Sequence, residues 1–547
     1  MRTLKKNIQT KHIQQHKKLH KKLHNTQIYS RVICNVSSNF LKKITKPTNY
    51  SKYETHISQI VNRFTEHNTH SVLLSKLLKT KDITNYKITS TIQELDNYTR
   101  IPPVIDILRY LSKKTVFITE FTVQEQELIN THLDAKYSNK EIYLYLNKSP
   151  IGIKLLKIYY TLLHTLNTEL QAKFPSMILH NLLINSFTSY KVIYNLESRI
   201  KKVKVFSIEY KGIHINNLLY LFLYDEDSKD RYENIGYEII KRLLFFNNFL
   251  EIDTIPNKLI VFLTDMKKEI DYDVISQMHF KTININTAVT NGKDIIIYRE
   301  QELLKSIFHE LIHFHNLDFR QIPHTIIEYL IKTHNINKNN EYLLYECVTE
   351  TLANILNIIF LSRDINEINS NLKQELTFST VQVAKILNIC NYVNWADFAI
   401  LDSSNIHIKP NINNSIHNSN QQFTQDSCVF SYYVLKFYIL LNLDTYFTHC
   451  LDSKLKFIQT NIAFKYLINI FDSARHNLIL KQIINNALKF LSKSKTTNTN
   501  DKHMSNMSNM SKMSKMSKIS NMSKMSKMSN TLRMTCLENT NFMNNAI

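Results

Sequence analysis

The sequence predicts an α+β fold, mainly helical, in which a small antiparallel sheet runs into a buried helix and a helical half follows. Three observations carry that expectation. Apolar residues recur at helical spacing over long stretches such as Tyr237 to Leu250 and Glu341 to Phe360. Short β-branched and aromatic runs flank Lys211-Gly212 and Asn291-Gly292, which are hairpin turn signals. The chain has 547 residues, 43% of them hydrophobic, with 29 Tyr and 28 Phe, enough to build a large core.

Taken in order, residues 1–48 are basic and end near Lys46-Pro47. His12, His16, His20 and His24 recur every four residues beside lysines, which would align four imidazoles on a helix, but a solvated, disordered basic tail is the expectation. Residues 49–198 read as a helical N-terminal domain, with segments Val104 to Ser112, Val123 to Leu133 and Ile153 to Leu170 and a break at Pro102-Pro103. No catalytic constellation stands out there. Residues 199–491 form the second domain. It opens with a hairpin, Val203 to Tyr210 and His214 to Tyr224, then a helix, Tyr237 to Leu250, and a strand, Lys258 to Thr264. A second hairpin pairs Thr282 to Val289 with Asp294 to Tyr298, and both residues of its Asn-Gly turn are expected at positive φ. The strand Asp294 to Tyr298 leads into the next helix and is the candidate for pairing with an extended peptide. Ser403 to Gln422 reads as a long loop, and Ser427 to Asn442, Lys454 to Ile470 and Leu478 to Leu491 as helices. From 492 to 547 the chain is expected to be disordered, because the Met-Ser-Lys and Met-Ser-Asn triplets have a period of three, which fits neither helix nor strand.

Charge and cysteine usage bound the partners and the setting. A formal net charge of +22, concentrated at the two ends, favours contact with nucleic acid or an anionic surface. Six cysteines without a CxxC pair or a disulfide-framework spacing point to a reducing, intracellular setting. Arg2 to Lys22 has no apolar core of a secretory signal, and the most apolar run, Cys428 to Leu443, is interrupted by Lys436. A soluble chain without a transmembrane segment is expected.

The chemistry concentrates in QELLKSIFHELIHFHNLD, Gln301 to Asp318, which contains His309-Glu310-Leu311-Ile312-His313. Residues four apart on a helix stand one above the other, so His309 and His313 present two imidazoles to one point with Glu310 beside them, half of a zinc site plus a general base. The bland alternative is a pair of satisfied core histidines. Because the helix is apolar nearly all round, its polar residues need partners. Phe319 and Asn316 stand where the HExxHxxGxxH pattern needs His and Gly, so a third histidine from that pattern is excluded. The stretch Glu341 to Phe360 supplies a carboxylate instead. Glu346 and Glu350, four apart among apolar residues, are assigned as third metal ligand and as outer acceptor for a ligating histidine, with the exchange of those two roles left open. Asp318 is a further candidate supporting group, although a helix-end cap or a surface charge is the preferred reading for it.

HELIH followed by a glutamate helix with Glu346 and Glu350 resembles the gluzincin, thermolysin-like zinc metallopeptidases. The stretches INTAVTNGKDIIIYREQELLKSIFHELIHFHNLDF, YECVTETLANIL and CVFSYYVLK also resemble predicted zinc metalloproteinases of giant DNA viruses. The likeness covers roughly Lys258 to Phe447, and Glu350 replaces the aspartate usual in the family. It implies a zincin-like active-site helix, one catalytic Zn2+ held by His309, His313 and Glu346, and Glu310 as the base that takes the proton of the zinc-bound water. It further implies a downstream oxyanion donor, for which Tyr432 and Tyr433 are the candidates, a protein or peptide substrate, and host cytoplasm or virion as the location. The competing expectation, from the basic ends, is a nucleic-acid-associated or structural protein with a non-catalytic zinc site.

Overall fold

Two hairpins seed the sheet, and one helical crossover joins them. The computed structural model of the chain describes, with short gaps, residues 36–94, 108–113, 121–133, 149–155, 200–268, 280, 285–319, 321–400, 423–503 and 532–537, so the start of the expected strand Thr282 to Val289 lies outside it. The histidine-bearing residues 1–35, most of Ile153 to Leu170, the loop Ser403 to Gln422 and the methionine triplets lie outside the described residues.

Strands β2 (Ile200–Tyr210) and β3 (Ile213–Tyr224) form the first hairpin. Lys211 and Gly212 turn it at φ of 51° and 79°, the left-handed pair whose twist matches that of the flanking strands. Strand β1 (Tyr86–Glu94) pairs antiparallel outside β2. This stretch fell in the region read as helical, but its alternation of Ile88, Ser90 and Ile92 with β-branched neighbours suits a pleated edge. Helix α3 (Lys229–Leu250) follows two N-terminal helices, α1 (Pro47–Glu66) and α2 (Asn68–Thr80), and carries the chain back so that β4 (Lys258–Phe262) runs parallel to β3. Its close approach to the sheet depends on Gly236, where a Cβ would come 2.2 Å from the ring of Phe206.

The second hairpin is β5 (Ala288–Thr290) and β6 (Asp294–Ile297), antiparallel to each other, with β6 parallel to β4. The sheet order is β1-β2-β3-β4-β6-β5, so the sheet is mixed rather than antiparallel. At the second turn only Gly292 takes positive φ, 81°. Asn291 acts through its side chain, its Oδ1 accepting from Lys293 N and Asp294 N at 2.9 and 2.7 Å.

The helical part is built on α4 (Leu303–Phe314), α5 (Tyr345–Leu361) and α6 (Ile365–Ile389). Helix α4 is buried from Leu303 to Ile312 and α5 from Glu346 to Ile359, because both are apolar on nearly every face. A π-helical turn over Phe430–Leu435 continues into α7 (Lys436–Leu440), and α8 (Leu443–His449), α9 (Asn461–Arg475) and α10 (Leu478–His503) complete the order.

Residues 36–44, within the stretch read as a tail, are helical, and Leu41 is fully buried. Helices α1 and α2 pack on α3, α6, α8 and α10. One cluster of buried apolar side chains reaches from Phe40 to Leu537 and joins α1 and α2 to the histidine helix, while Leu108, Phe121, Ile129, Leu133 and Leu155 are buried outside it. Leu532 to Leu537, placed in the disordered end, are part of that cluster too. No helix among the described residues is long and apolar enough to cross a membrane.

Candidate metal centre

Helix α4 presents His309, Glu310 and His313, and α5 packs against it with Glu346 and Glu350. His309 Nε2 and His313 Nε2 stand 3.2 Å apart, and Glu346 Oε2 lies 3.3 Å from each. These three atoms make a nearly equilateral triangle. Donors of a tetrahedral cation at 2.0–2.1 Å would be separated by about 3.3–3.4 Å, so the triangle has the edge length of one face of a zinc tetrahedron.

The tautomers sharpen the point. His309 Nδ1 is 3.0 Å from Glu350 Oε2, and His313 Nδ1 is 2.7 Å from Asp318 Oδ2. A carboxylate only accepts, so both Nδ1 atoms carry a hydrogen, and when the rings are neutral both Nε2 atoms turn lone pairs inward. Glu346 Oε2 is buried and has no donor of its own. With the rings neutral, three acceptors converge, a donor set of the kind a cation bridges. Burial works against charge on both rings, yet Glu346, with Glu350 beside His309 and Asp318 beside His313, outweighs it and raises both histidine pKa values. Burial likewise opposes the Glu346 carboxylate, and the two histidines overcome it and hold its pKa far below the usual range.

The local folding that places these groups is specific. Helix α4 ends in a Schellman motif, with Leu317 N bonding to Ile312 O at 3.0 Å, Asn316 N to His313 O at 3.1 Å, and Asn316 at a φ of 52°. The sharp reversal brings Asp318 back to His313, and Thr349 Oγ1 of α5 donates to the same Oδ2 at 3.2 Å. Asp318 is thus a buried supporting group, not a surface charge or a cap. Of the two glutamates, Glu346 is the converging donor and Glu350 the outer acceptor. Lys305 Nζ, one turn before His309, lies 2.7 Å from both Glu350 oxygens and fixes that carboxylate.

A cleft of about 730 Å³ opens on the triangle and is lined by Glu310, Tyr345, Tyr432, Met534 and the strand β5. Glu310 is 4% exposed. Its burial raises the carboxyl pKa, while His309 and His313 pull it down. The ring of Tyr432 lies 5.9 Å from that of His309, and burial keeps its O–H protonated. Tyr433, the neighbouring candidate, does not line the cleft. The π-helical turn directs it elsewhere, and its hydroxyl is buried without a partner.

Strand Asp294 to Tyr298, expected to receive a peptide, is flanked by β4 and β5 and has no open edge. The strand at the rim is β5, whose residues are half-buried and line the cleft. Sequence reasoning also passed over Tyr345, 5.9 Å from the His313 ring, and Lys305. Lys305 carried a signal, since a lysine on an otherwise apolar helix face needs a carboxylate. Tyr345 carried none beyond adjacency to Glu346. The five described cysteines are all buried and free of disulfides. Comparison of the chain with family models, curated proteins and solved structures finds no match.

Proposed function

We propose that this chain is a zinc-dependent peptidase that hydrolyses peptide bonds of protein or peptide substrates at the centre formed by His309, His313 and Glu346. The observation that carries the reading is the triangle of Glu346 Oε2 and two imidazole Nε2 atoms, each ring backed by a buried carboxylate, opening on a cleft that also holds a buried carboxylate. A structural zinc site is closed by a fourth protein ligand, whereas three donors with the fourth direction facing a cleft suit catalysis.

Zinc held there would act as a Lewis acid and bring the pKa of a water it binds toward neutrality. Glu310 is positioned on the same helix turn to take the proton of the attacking water and return it to the leaving amine. Its partly raised pKa suits both directions of transfer. Tyr432 offers a neutral O–H to the oxygen on which negative charge develops. The outer edge of β5 offers backbone groups to an extended chain, which places the substrate alongside the metal centre by strand addition.

The test is metal content together with cleavage of a peptide library by the parent chain and by Glu310→Gln. The variant is expected to keep its zinc and to lose about 10²- to 10⁴-fold in cleavage rate. Equal cleavage by both, or a parent chain free of metal after zinc loading, would overturn the reading.

A further inference from the structure

Leu532 to Leu537 return to the body after the methionine triplets, and every residue of the segment except Arg533 is buried. The segment has no regular secondary structure, so its backbone must find partners in the side chains around it. Buried charges supply them. Met534 N and Thr535 N donate to Glu302 Oε1 at 2.5 and 2.9 Å, and Cys536 N and Thr535 Oγ1 donate to Glu375 Oε2 at 3.0 and 2.9 Å. Lys436 Nζ donates to Met534 O, and Asn357 Nδ2 to Leu537 O at 3.0 Å. Three buried Lys–Glu pairs line this channel: Lys268 with Glu302, Lys305 with Glu350, and Lys436 with Glu375. Taking so much charge out of water is tolerable only where the remaining acceptor positions are filled. At Glu302 Oε1 and Glu375 Oε2 the segment's backbone fills them.

Two of these contacts reach the metal centre. Glu302 is the residue immediately before α4, held at a φ of 63°, and it binds two backbone amides of the segment. Met534 Sδ lies 3.7 Å from Lys305 Nζ, whose other contacts are the two oxygens of Glu350, and Glu350 orients His309. Met534 is also part of the cleft wall.

We propose that residues 532–537 are a built-in strap that completes the metal centre. By docking between α4, α6 and α7, the strap seats the start of α4 and holds Lys305 on Glu350, which fixes the ring of His309. It also contributes Met534 to the cleft as a determinant of which substrate side chain is accepted. The strap acts as a positioning element and rests on the metal-centre reading given above.

The experiment uses the full chain. One variant replaces residues 532–537 with a Gly-Ser segment of equal length, and a milder one combines Met534→Ala with Thr535→Val. Zinc affinity is read by chelator competition, and amide exchange is followed over α4. The first variant is expected to bind zinc about 10- to 100-fold more weakly, the range for loss of outer support. The milder variant should show a smaller loss, with faster exchange at residues 303–306, and Met534→Leu should restore both readouts. If the replaced chain does not fold, the milder pair carries the test. Parent-like zinc affinity and parent-like exchange over α4 in the milder pair, or a melting point that falls while zinc affinity stays put, would overturn the proposal. These readouts need no peptidase activity, so they stand apart from failure of the cleavage test. With an active parent, Met534→Ala should in addition shift the preferred residue in the peptide library, and an unchanged preference removes the specificity role.

Discussion

Among the described residues, two groups of two histidines and one carboxylate have ligand atoms within 4.8 Å of one another, and the two groups are built differently. At His309, His313 and Glu346 the imidazole planes are inclined by 78°, both Nδ1 atoms are tied to carboxylates, and the free lone pairs meet. At His67, His70 and Asp444 the rings lie 4.5 Å apart and only 30° from parallel, so their lone pairs run alongside each other. His70 Nδ1 faces Phe64 O at 3.2 Å and Asp444 Oδ1 at 3.5 Å, while His67 Nδ1 meets Thr69 Oγ1 at 2.8 Å. His70 packs against Phe64 and Phe447, and burial, with His67 second, lowers its pKa. Proximity of donors is common to both places. What distinguishes them is a second layer of acceptors that decides where each lone pair points.

The comparison breaks most sharply on metal content. Glu346→Gln or His313→Ala should cost far more than the roughly 100-fold ceiling for outer-layer changes and leave the chain without zinc after dialysis. The pair His67→Ala with His70→Ala should leave the zinc content at the parent value. Elemental analysis of the purified variants decides it, and loss of an equivalent from the His67/His70 pair would put the two groups on the same footing.

Next in size come the outer acceptors themselves. Asp318→Asn and Glu350→Gln should each weaken zinc binding by about 10- to 100-fold, measured by chelator competition. Their effects on folding should differ. Asp318 loses one ring contact and one hydroxyl bond, whereas removing the charge of Glu350 leaves Lys305 buried without a counter-ion, which costs about 3–5 kcal/mol. Melting curves of the metal-free variants should therefore rank Glu350→Gln well below Asp318→Asn, and equal midpoints would remove the proposed role of Lys305.

How much of this was legible in the sequence follows from how local each signal is. His309 and His313 could be read because one helix turn sets their spacing, and Glu350 because a carboxylate on an apolar helix must have a partner. Asp318 was misjudged because its position depends on a Schellman reversal in which Asn316 does the work usually left to glycine. The α+β class was readable from the hairpin turns and the helical apolar periodicity. Which strand takes the edge was not, since the order β4-β6-β5 is fixed by a parallel pairing, Lys258 beside Asp294, that no local pattern records. The strap was hidden for a related reason: six residues docked by backbone bonds to Glu302 and Glu375 carry no periodicity of their own.

A third buried histidine gives the smallest effect and a scale for the other two groups. His334 is fully buried, with Nε2 3.0 Å from Tyr438 Oη and Nδ1 3.0 Å from Thr333 Oγ1, and no carboxylate bonds to its ring. Burial, with Arg475 adding to it, lowers its pKa to about 3. The folded state therefore refuses a proton that the unfolded chain accepts near pH 6.5, so the unfolded state binds more protons as pH falls through that value, and stability is lost on acidification. Between pH 6 and 4 His334 should contribute about 1.4 kcal/mol of lost stability per pH unit, one proton's worth. His334→Gln should flatten the acid limb of a urea-unfolding series by that slope. The histidines of the metal centre, whose pKa values are raised by Glu346 and the outer carboxylates, should show no such acid penalty in the metal-free chain. A variant whose acid slope matches the parent would mean that His334 charges in place, and that burial alone does not separate the silent histidines of this chain from the ones that bind.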